Sequence, residues 1–203
     1  MKVVLASRNK HKIGEIKEIY KNITGKELDI LSLDDIGYYG EIEENGESFE
    51  ENSRIKASVP ANLGYIGLAD DSGLSVDALG GAPGIYSARY SGEDSSYAKN
   101  NEKLLSELDG IEDRNAKFVC VFCAVGPDGR SLTVRGECHG TIAKELCGSG
   151  GFGYDPLFIC KESGKTFGEL SSEEKNKISH RAVALNSLIP QLSEFLNSYN
   201  QRK

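Results

Sequence analysis

The chain has 203 residues, 38% of them hydrophobic and 27% charged, with a net charge of -7. That is an ordinary soluble globular composition, with enough chain to bury one large core. The acidic balance argues against a broad nucleic-acid footprint, which needs clustered Lys and Arg, yet leaves room for a small anionic ligand held by a few local lysines. The start, MKVVLASRNK, carries an apolar run too short for a signal h-region or a membrane span, and no later run approaches spanning length.

The segment 2–6 (KVVLA) reads as a first strand, with Ser7 placed to cap a helix after it. Ile13, Ile16, Tyr20 and Ile23 then recur at three- and four-residue spacing, which predicts an amphipathic helix to about Asn22 with Gly25 beyond its end. LDILSL (28–33) reads as a second strand and EIEENGE (41–47) as an acidic loop. Ser48 and Glu51 fit a capping box that opens a helix, which Pro60 is expected to kink or end.

YIGLA (65–69) predicts a strand that stops at Asp70 and Asp71, and LSVDAL (74–79) a separate one. Residues 80–93 form a glycine-rich structured loop, and 95–109 a helix carrying Tyr97, Leu104, Leu105 and Leu108. Segments 116–125 and 131–140 pair as a hairpin across GPDGR, and 156–160 is a last strand. Ser179 is placed to cap a final helix that buries Val183, Leu185, Leu188, Leu192, Phe195 and Leu196. Alternating strands and helices, then a hairpin, predict a single α/β domain over 1–203 with a mixed sheet.

The five cysteines, Cys120, Cys123, Cys138, Cys147 and Cys160, are odd in number and lie in apolar or glycine-rich segments. They read as reduced thiols of a cytoplasmic protein. The Cys120 and Cys123 pair has CxxC spacing, but within a strand positions i and i+3 face opposite sides, which argues against a metal or redox pair.

Five segments can carry chemistry. SRNKHK (7–12) lies at a strand-to-helix junction, where free N–H groups attract phosphate; a capped, solvated basic helix start is the plainer alternative. EENGESFEEN offers Glu43 or Glu44 to a hard cation, or simply complements a helix dipole. ADDSG (69–73) puts two adjacent carboxylates at a strand end. That is either a polar turn or a divalent-cation site in which one Asp also accepts a proton from water. GSGGFGYD (148–155) satisfies GxGxxG, but a strand rather than a helix comes after it, so its glycines serve close backbone approach and Phe152 stacks on a base. SSEEKNKISHR brings Lys175, His180 and Arg181 together as a candidate anion and base-edge site.

Taken in order, SRNKHK, EENGESFEENSRIKA, LADDSGLSVDALGGAPGIYSARYSGE, GSGGFGYDP and EEKNKISHRA resemble the inosine triphosphate pyrophosphatase family of non-canonical purine nucleoside triphosphatases, from residue 2 to about 196. The resemblance implies an α/β fold with a long twisted mixed sheet and flanking helices in two lobes around a nucleotide cleft. It implies Mg²⁺-dependent hydrolysis of ITP, dITP and XTP to monophosphate and pyrophosphate by a cytoplasmic homodimer, with no nucleic-acid or membrane partner. Carried over by motif, Ser7, Arg8, Asn9, Lys10, His11 and Lys12 hold the triphosphate. Glu44 binds metal, with Glu43 the near alternative. Asp71 binds metal and accepts the proton, with Asp70 in support. Ser72 contacts substrate, and Lys56 adds charge for the phosphates. Phe152, Gly153, Tyr154 and Asp155 form the base pocket; Lys175 binds phosphate, and His180 and Arg181 contact the purine. The first motif reads Ser-Arg-Asn where Thr-Gly-Asn is common in the family. Competing readings are a pyrophosphatase for modified pyrimidines, a nucleotide-binding regulator that does not turn over, and a dinucleotide-dependent oxidoreductase.

Overall fold

A computed structural model describes residues 1–200. Its sheet has six strands in the order β2-β1-β3-β4-β5-β6, with β1 (Val3–Leu5), β2 (Leu31–Ser32), β3 (Ile66–Val76), β4 (Asn115–Val125), β5 (Ser131–Ile142) and β6 (Phe158–Cys160). β1 runs parallel to β2 and β3, while β5 and β6 are antiparallel, so the sheet is mixed as predicted. The helices are α1 (Lys10–Thr24), α2 (Phe49–Asn62), α3 (Tyr97–Glu107), α4 (Ser172–Ile178) and α5 (His180–Asn200). None among the described residues is long and apolar enough to cross a membrane.

The chain divides into two compact units. Of the described residues, the first comprises 1–71, 120–136 and 181–200; the second comprises 72–119 and 137–180. In the first unit, strand alternation sorts side chains onto two faces. Val3, Leu5, Ile66, Leu68, Cys120 and Phe122 pack with Ile16 and Ile19 of α1 and with Ala182, Leu185 and Leu188 of α5. Val4, Ala6, Ala69, Cys123 and Val125 pack instead with Ala57 and Ala61 of α2. Each fully buried aliphatic side chain contributes about 1.5–3 kcal/mol over leaving it exposed. Cys120 and Cys123 thus lie on opposite faces, as the strand geometry requires, and all five cysteines are free thiols.

The second unit has its own core. Leu74 and Val76 of β3, Leu104 and Leu108 at α3, Phe118 of β4, Cys138 and Ile142 of β5, and Phe158 and Phe167 are all buried there.

Five local expectations change. The predicted strands 65–69 and 74–79 merge into one continuous strand, β3 (Ile66–Val76), with Asp70 and Asp71 inside it, and residues 77–79 turn out of the sheet as a short 3-10 helix. Asn9, not Ser7, caps α1: its Oδ1 accepts from the backbone N–H of His11 and Lys12, both at 3.1 Å. Pro60 does not end α2, which continues to Asn62 because Pro60 falls in its last turn. A separate short helix, α4, precedes the final one, with Ser171 and Glu174 forming its capping box. Val183 is 43% exposed, since Ala182, Ala184, Leu185 and Leu188 define the buried face of α5.

Candidate active site

The first unit gathers a constellation of buried charges, and the alternation of β3 organises it. Asp70 shares its face with Ile66 and Leu68, toward α1 and α5; Asp71 shares its face with Ala69, toward α2. Asp70 therefore meets Lys12 of α1, at 3.3 Å, and Arg181 of α5, at 3.7 Å. Asp71 meets Lys56 of α2, whose Nζ donates to Asp71 Oδ1 at 3.0 Å and to Glu44 Oε2 at 2.8 Å.

All three central side chains are buried: Asp70 is 2% exposed, Asp71 6% and Lys56 8%. Burial opposes ionisation of Asp70, but Lys12, Arg181 and Lys56 outweigh it and hold its carboxyl at about 2. For Asp71 burial prevails over Lys56 and Lys12, with the Glu44 carboxylate adding to it, and the pKa is raised. Burial opposes the charge on Lys56, yet Asp71, Asp70 and Glu44 raise its pKa. The two neighbouring aspartates are thereby pushed apart: one is a fixed anion, the other a carboxylate of increased proton affinity.

The carboxylate oxygens of Asp71 also differ. Oδ1 accepts from Lys56, while Oδ2 is buried with no hydrogen-bond partner. A buried orphan oxygen on a carboxylate is costly unless something else occupies it. Glu44 and Asp71 share the Lys56 ammonium, and Glu43 is exposed, so the structure brings Glu44 rather than Glu43 to this group. Among the described residues no set of three or more His, Cys, Asp or Glu forms a metal cage. Two carboxylates with an open oxygen fit a hard cation that takes its remaining ligands from phosphate and water.

At the strand-to-helix junction, Ser7 Oγ accepts from Asn9 N at 3.3 Å. Lys10 and His11 are exposed and Lys12 is half-buried. Arg8 turns away to the 38–40 segment, donating to the carbonyls of Tyr38 at 2.7 Å and Gly40 at 3.0 Å. Arg181 is 1% exposed and also pairs with Glu15 of α1, so a purine contact through its guanidinium requires it to leave that pair.

The second unit holds the remaining candidates. Asp155 Oδ2 accepts from Lys175 Nζ at 2.6 Å and from the Phe152 backbone N–H at 2.8 Å. Lys175 is 4% exposed, and its ammonium lies 4.9 Å from the centroid of Phe152, a cation–π contact. Gly151, at φ +72°, has no room for a side chain: a Cβ there would come within 2.0 Å of Asp155 Oδ2. Phe152 is half-buried and faces Tyr97 at a ring separation of 6.1 Å. Tyr154 is buried and donates through its hydroxyl to Ser87 O at 2.9 Å. His180 stacks on Phe118 at 4.7 Å and is 4% exposed. Ser72 is half-buried in β3. The glycines of 148–153 lead into β6 and not into a helix, which removes the context a dinucleotide fingerprint requires.

Sequence reading missed Glu15, whose pairing with Arg181 spans 166 residues, and the asparagines of α3. Neither leaves a local signal.

Comparison with known proteins identifies relatives over almost the whole chain. A model described as the Ham1 family matches residues 3–191. The chain is 49% identical over 204 residues to a dITP/XTP pyrophosphatase of Clostridium perfringens, covering 96% of this chain and 98% of that protein. It is 51% identical over 187 residues to a dITP/XTP pyrophosphatase of Geobacter sulfurreducens, covering 91% and 92%. Among solved structures, the Staphylococcus aureus Ham1 protein superposes with a TM-score of 0.86 at 42% identity, covering 96% of this chain and 99% of that one.

Proposed function

Because the chain belongs to the Ham1 family, we propose that it hydrolyses the non-canonical purine nucleoside triphosphates ITP, dITP and XTP to the monophosphate and pyrophosphate. The observation that carries this reading is Asp71, buried with Oδ1 held by Lys56 and Oδ2 open. One carboxylate is thereby fixed in orientation and keeps an oxygen for the reaction.

Glu44 and Asp71 would hold Mg²⁺, which when bound neutralises charge on the triphosphate and polarises its phosphorus–oxygen bonds. The residues of the chain do the rest. Lys12 and Lys56 supply cationic charge for the phosphates, and Ser7, Arg8, Asn9, Lys10 and His11 form the turn that receives them. Asp70, a permanent anion, keeps Lys12 and Arg181 in place. Asp71 accepts the proton of the attacking water as the water oxygen bonds to the α-phosphorus and the α–β phosphoanhydride bond breaks, releasing pyrophosphate. Phosphoryl chemistry asks for positioning and charge rather than a covalent nucleophile, which agrees with this inventory.

Phe152 supplies a stacking face for the nucleobase. Lys175, fixed on Asp155, and His180 supply donors for the ligand's anionic and keto groups, with Gly153, Tyr154 and Ser72 shaping the loop and strand around them. Donors aimed at O6 of hypoxanthine or xanthine would meet an amino group in adenine, the kind of mismatch that discriminates strongly. The reading extends to a cytoplasmic homodimer, supported by the family resemblance and, for the compartment, by five unpaired thiols.

The test is incubation with a panel of nucleoside triphosphates and Mg²⁺, with both products identified. Monophosphate and pyrophosphate from ITP, dITP and XTP, with ATP and GTP nearly inert, is the expected result. Diphosphate and orthophosphate, or equal turnover of ATP, would overturn it.

A further inference from the structure

We propose that Asn101 is a positioning residue that sets base selectivity by holding the Gly153 carbonyl, an inference that rests on the nucleobase role given above to residues 152–155. Asn101 lies in α3, is 5% exposed, and donates from Nδ2 to Gly153 O at 3.0 Å. Its Oδ1 is buried with no hydrogen-bond partner. A helix interior position that served packing alone would favour an apolar residue, which leaves no orphan acceptor. The asparagine is therefore kept for the carbonyl its N–H holds.

That carbonyl belongs to the least constrained point of the loop. Phe152 N–H is fixed by Asp155, and Tyr154 is fixed through its hydroxyl on Ser87 O. Gly153 lies between them at φ +64° with no side chain to anchor it, and no atom within 4 Å of where a Cβ would stand. Its carbonyl is the remaining handle. Asn100, the preceding residue, donates to Ser87 O at 3.3 Å, the same carbonyl that receives Tyr154. Of two consecutive asparagines of α3, Asn101 thus holds Gly153 directly and Asn100 holds the carbonyl on which Tyr154 is anchored. One turn earlier, Tyr97 of the same helix meets the Phe152 ring. α3 is the ruler against which the stacking face of Phe152 and the Asp155–Lys175 pair are set.

The test compares wild type with Asn101→Asp, which keeps the shape and removes the donor, and Asn101→Leu, which removes both polar atoms. Initial rates with dITP and dATP are measured at saturating Mg²⁺, and melting temperatures alongside. Both variants are expected to raise KM for dITP about tenfold with kcat within about twofold, and to lower the dITP-to-dATP ratio of kcat/KM by about tenfold. A structural role alone would lower the melting temperature without moving that ratio. A ratio and KM within about twofold of wild type in either folded variant, or a fall in kcat at constant KM, overturns the inference. Phe152→Ala is run in parallel. If it too leaves KM and the ratio unchanged, the nucleobase role of the loop fails; if it moves them while the Asn101 variants do not, the Asn101 inference alone fails.

Discussion

Asp70 and Asp71 are consecutive in β3 and project from opposite faces of the sheet, so that Asp70 Oδ2 lies 3.3 Å from Lys12 Nζ and Asp71 Oδ1 lies 3.0 Å from Lys56 Nζ. Strand alternation alone gives two chemically identical side chains different helices, different cations and opposite pKa shifts. The burial of both, which would be prohibitive for isolated charges, is offset by three cations reaching in from α1, α2 and α5, Lys56 and Arg181 buried and Lys12 half-buried.

The two aspartates should separate cleanly in mutants. Asp71→Asn retains shape and removes the proton acceptor, so kcat should fall at least ~10²-fold with the fold intact. Asp70→Asn leaves Lys12 and Arg181 facing a neutral amide in a buried site. Breaking such a group costs about 3–5 kcal/mol, so its melting temperature should drop well below that of Asp71→Asn. Kinetics and calorimetry on the two variants check this; equal thermal loss, or near-normal turnover by Asp71→Asn, would refute the division of roles.

Lys56 balances Glu44 and Asp71 in the free protein. Replacing it by methionine leaves two carboxylates with no cation between them. The variant should be less stable than wild type without metal, and added Mg²⁺ should raise its melting temperature by more than it raises the wild type's, since a ligand bound only by the folded state stabilises it. Thermal melts across a Mg²⁺ titration measure this directly. An equal response in both proteins would show that the Glu44–Asp71 pair is not where the cation binds.

How much of the fold and the site was legible in the sequence depends on how local each signal was. The strand at 3–5, α1, α2 and the hairpin come from apolar periodicity and capping residues, which act within a few positions. ADDSG reads as a turn because Asp and Gly are poor strand formers. It is a strand because Lys12, Lys56 and Arg181, distant in sequence, stabilise the buried carboxylates. α4 has no apolar repeat to announce it; only the Ser171–Glu174 box does. Arg181 reads as a candidate base-edge contact, and only the fold shows its guanidinium buried on Glu15 and Asp70.

Gly67 sits on the α2 face of β3, where a Cβ would come within 1.8 Å of the Ala57 carbonyl oxygen and 2.9 Å of Pro60. Both obstacles are helix backbone or a rigid ring, and neither can rotate away. Gly67→Ala should force α2 off the sheet at the level of Lys56, costing about 1–3 kcal/mol or more. Denaturant unfolding measures the loss. Activity should fall with it, because Lys56 and Asp71 are one and four residues from the contact; an unperturbed midpoint would mean that the helix is not packed so closely.

At the far end of the first unit, the Asp128 side chain accepts from the Tyr199 hydroxyl of α5 and from Arg130 Nε at 2.8 Å. The hydrogen bond from Tyr199 is the largest influence on the Asp128 carboxyl; burial opposes it, and the hydrogen bonds and charge of Arg130 help to lower the carboxyl from 3.8 to about 2. A carboxyl whose folded pKa lies below its unfolded value stabilises the fold above the unfolded value and loses that contribution as pH falls toward the folded one. The anchor of α5 on the hairpin turn should therefore be fully present above about pH 4 and fade between about pH 4 and 2. Asp128→Asn should melt below wild type at neutral pH, and the gap should close across that acidic window. A gap that stays constant with pH would mean that the ionised carboxylate contributes nothing to holding Tyr199.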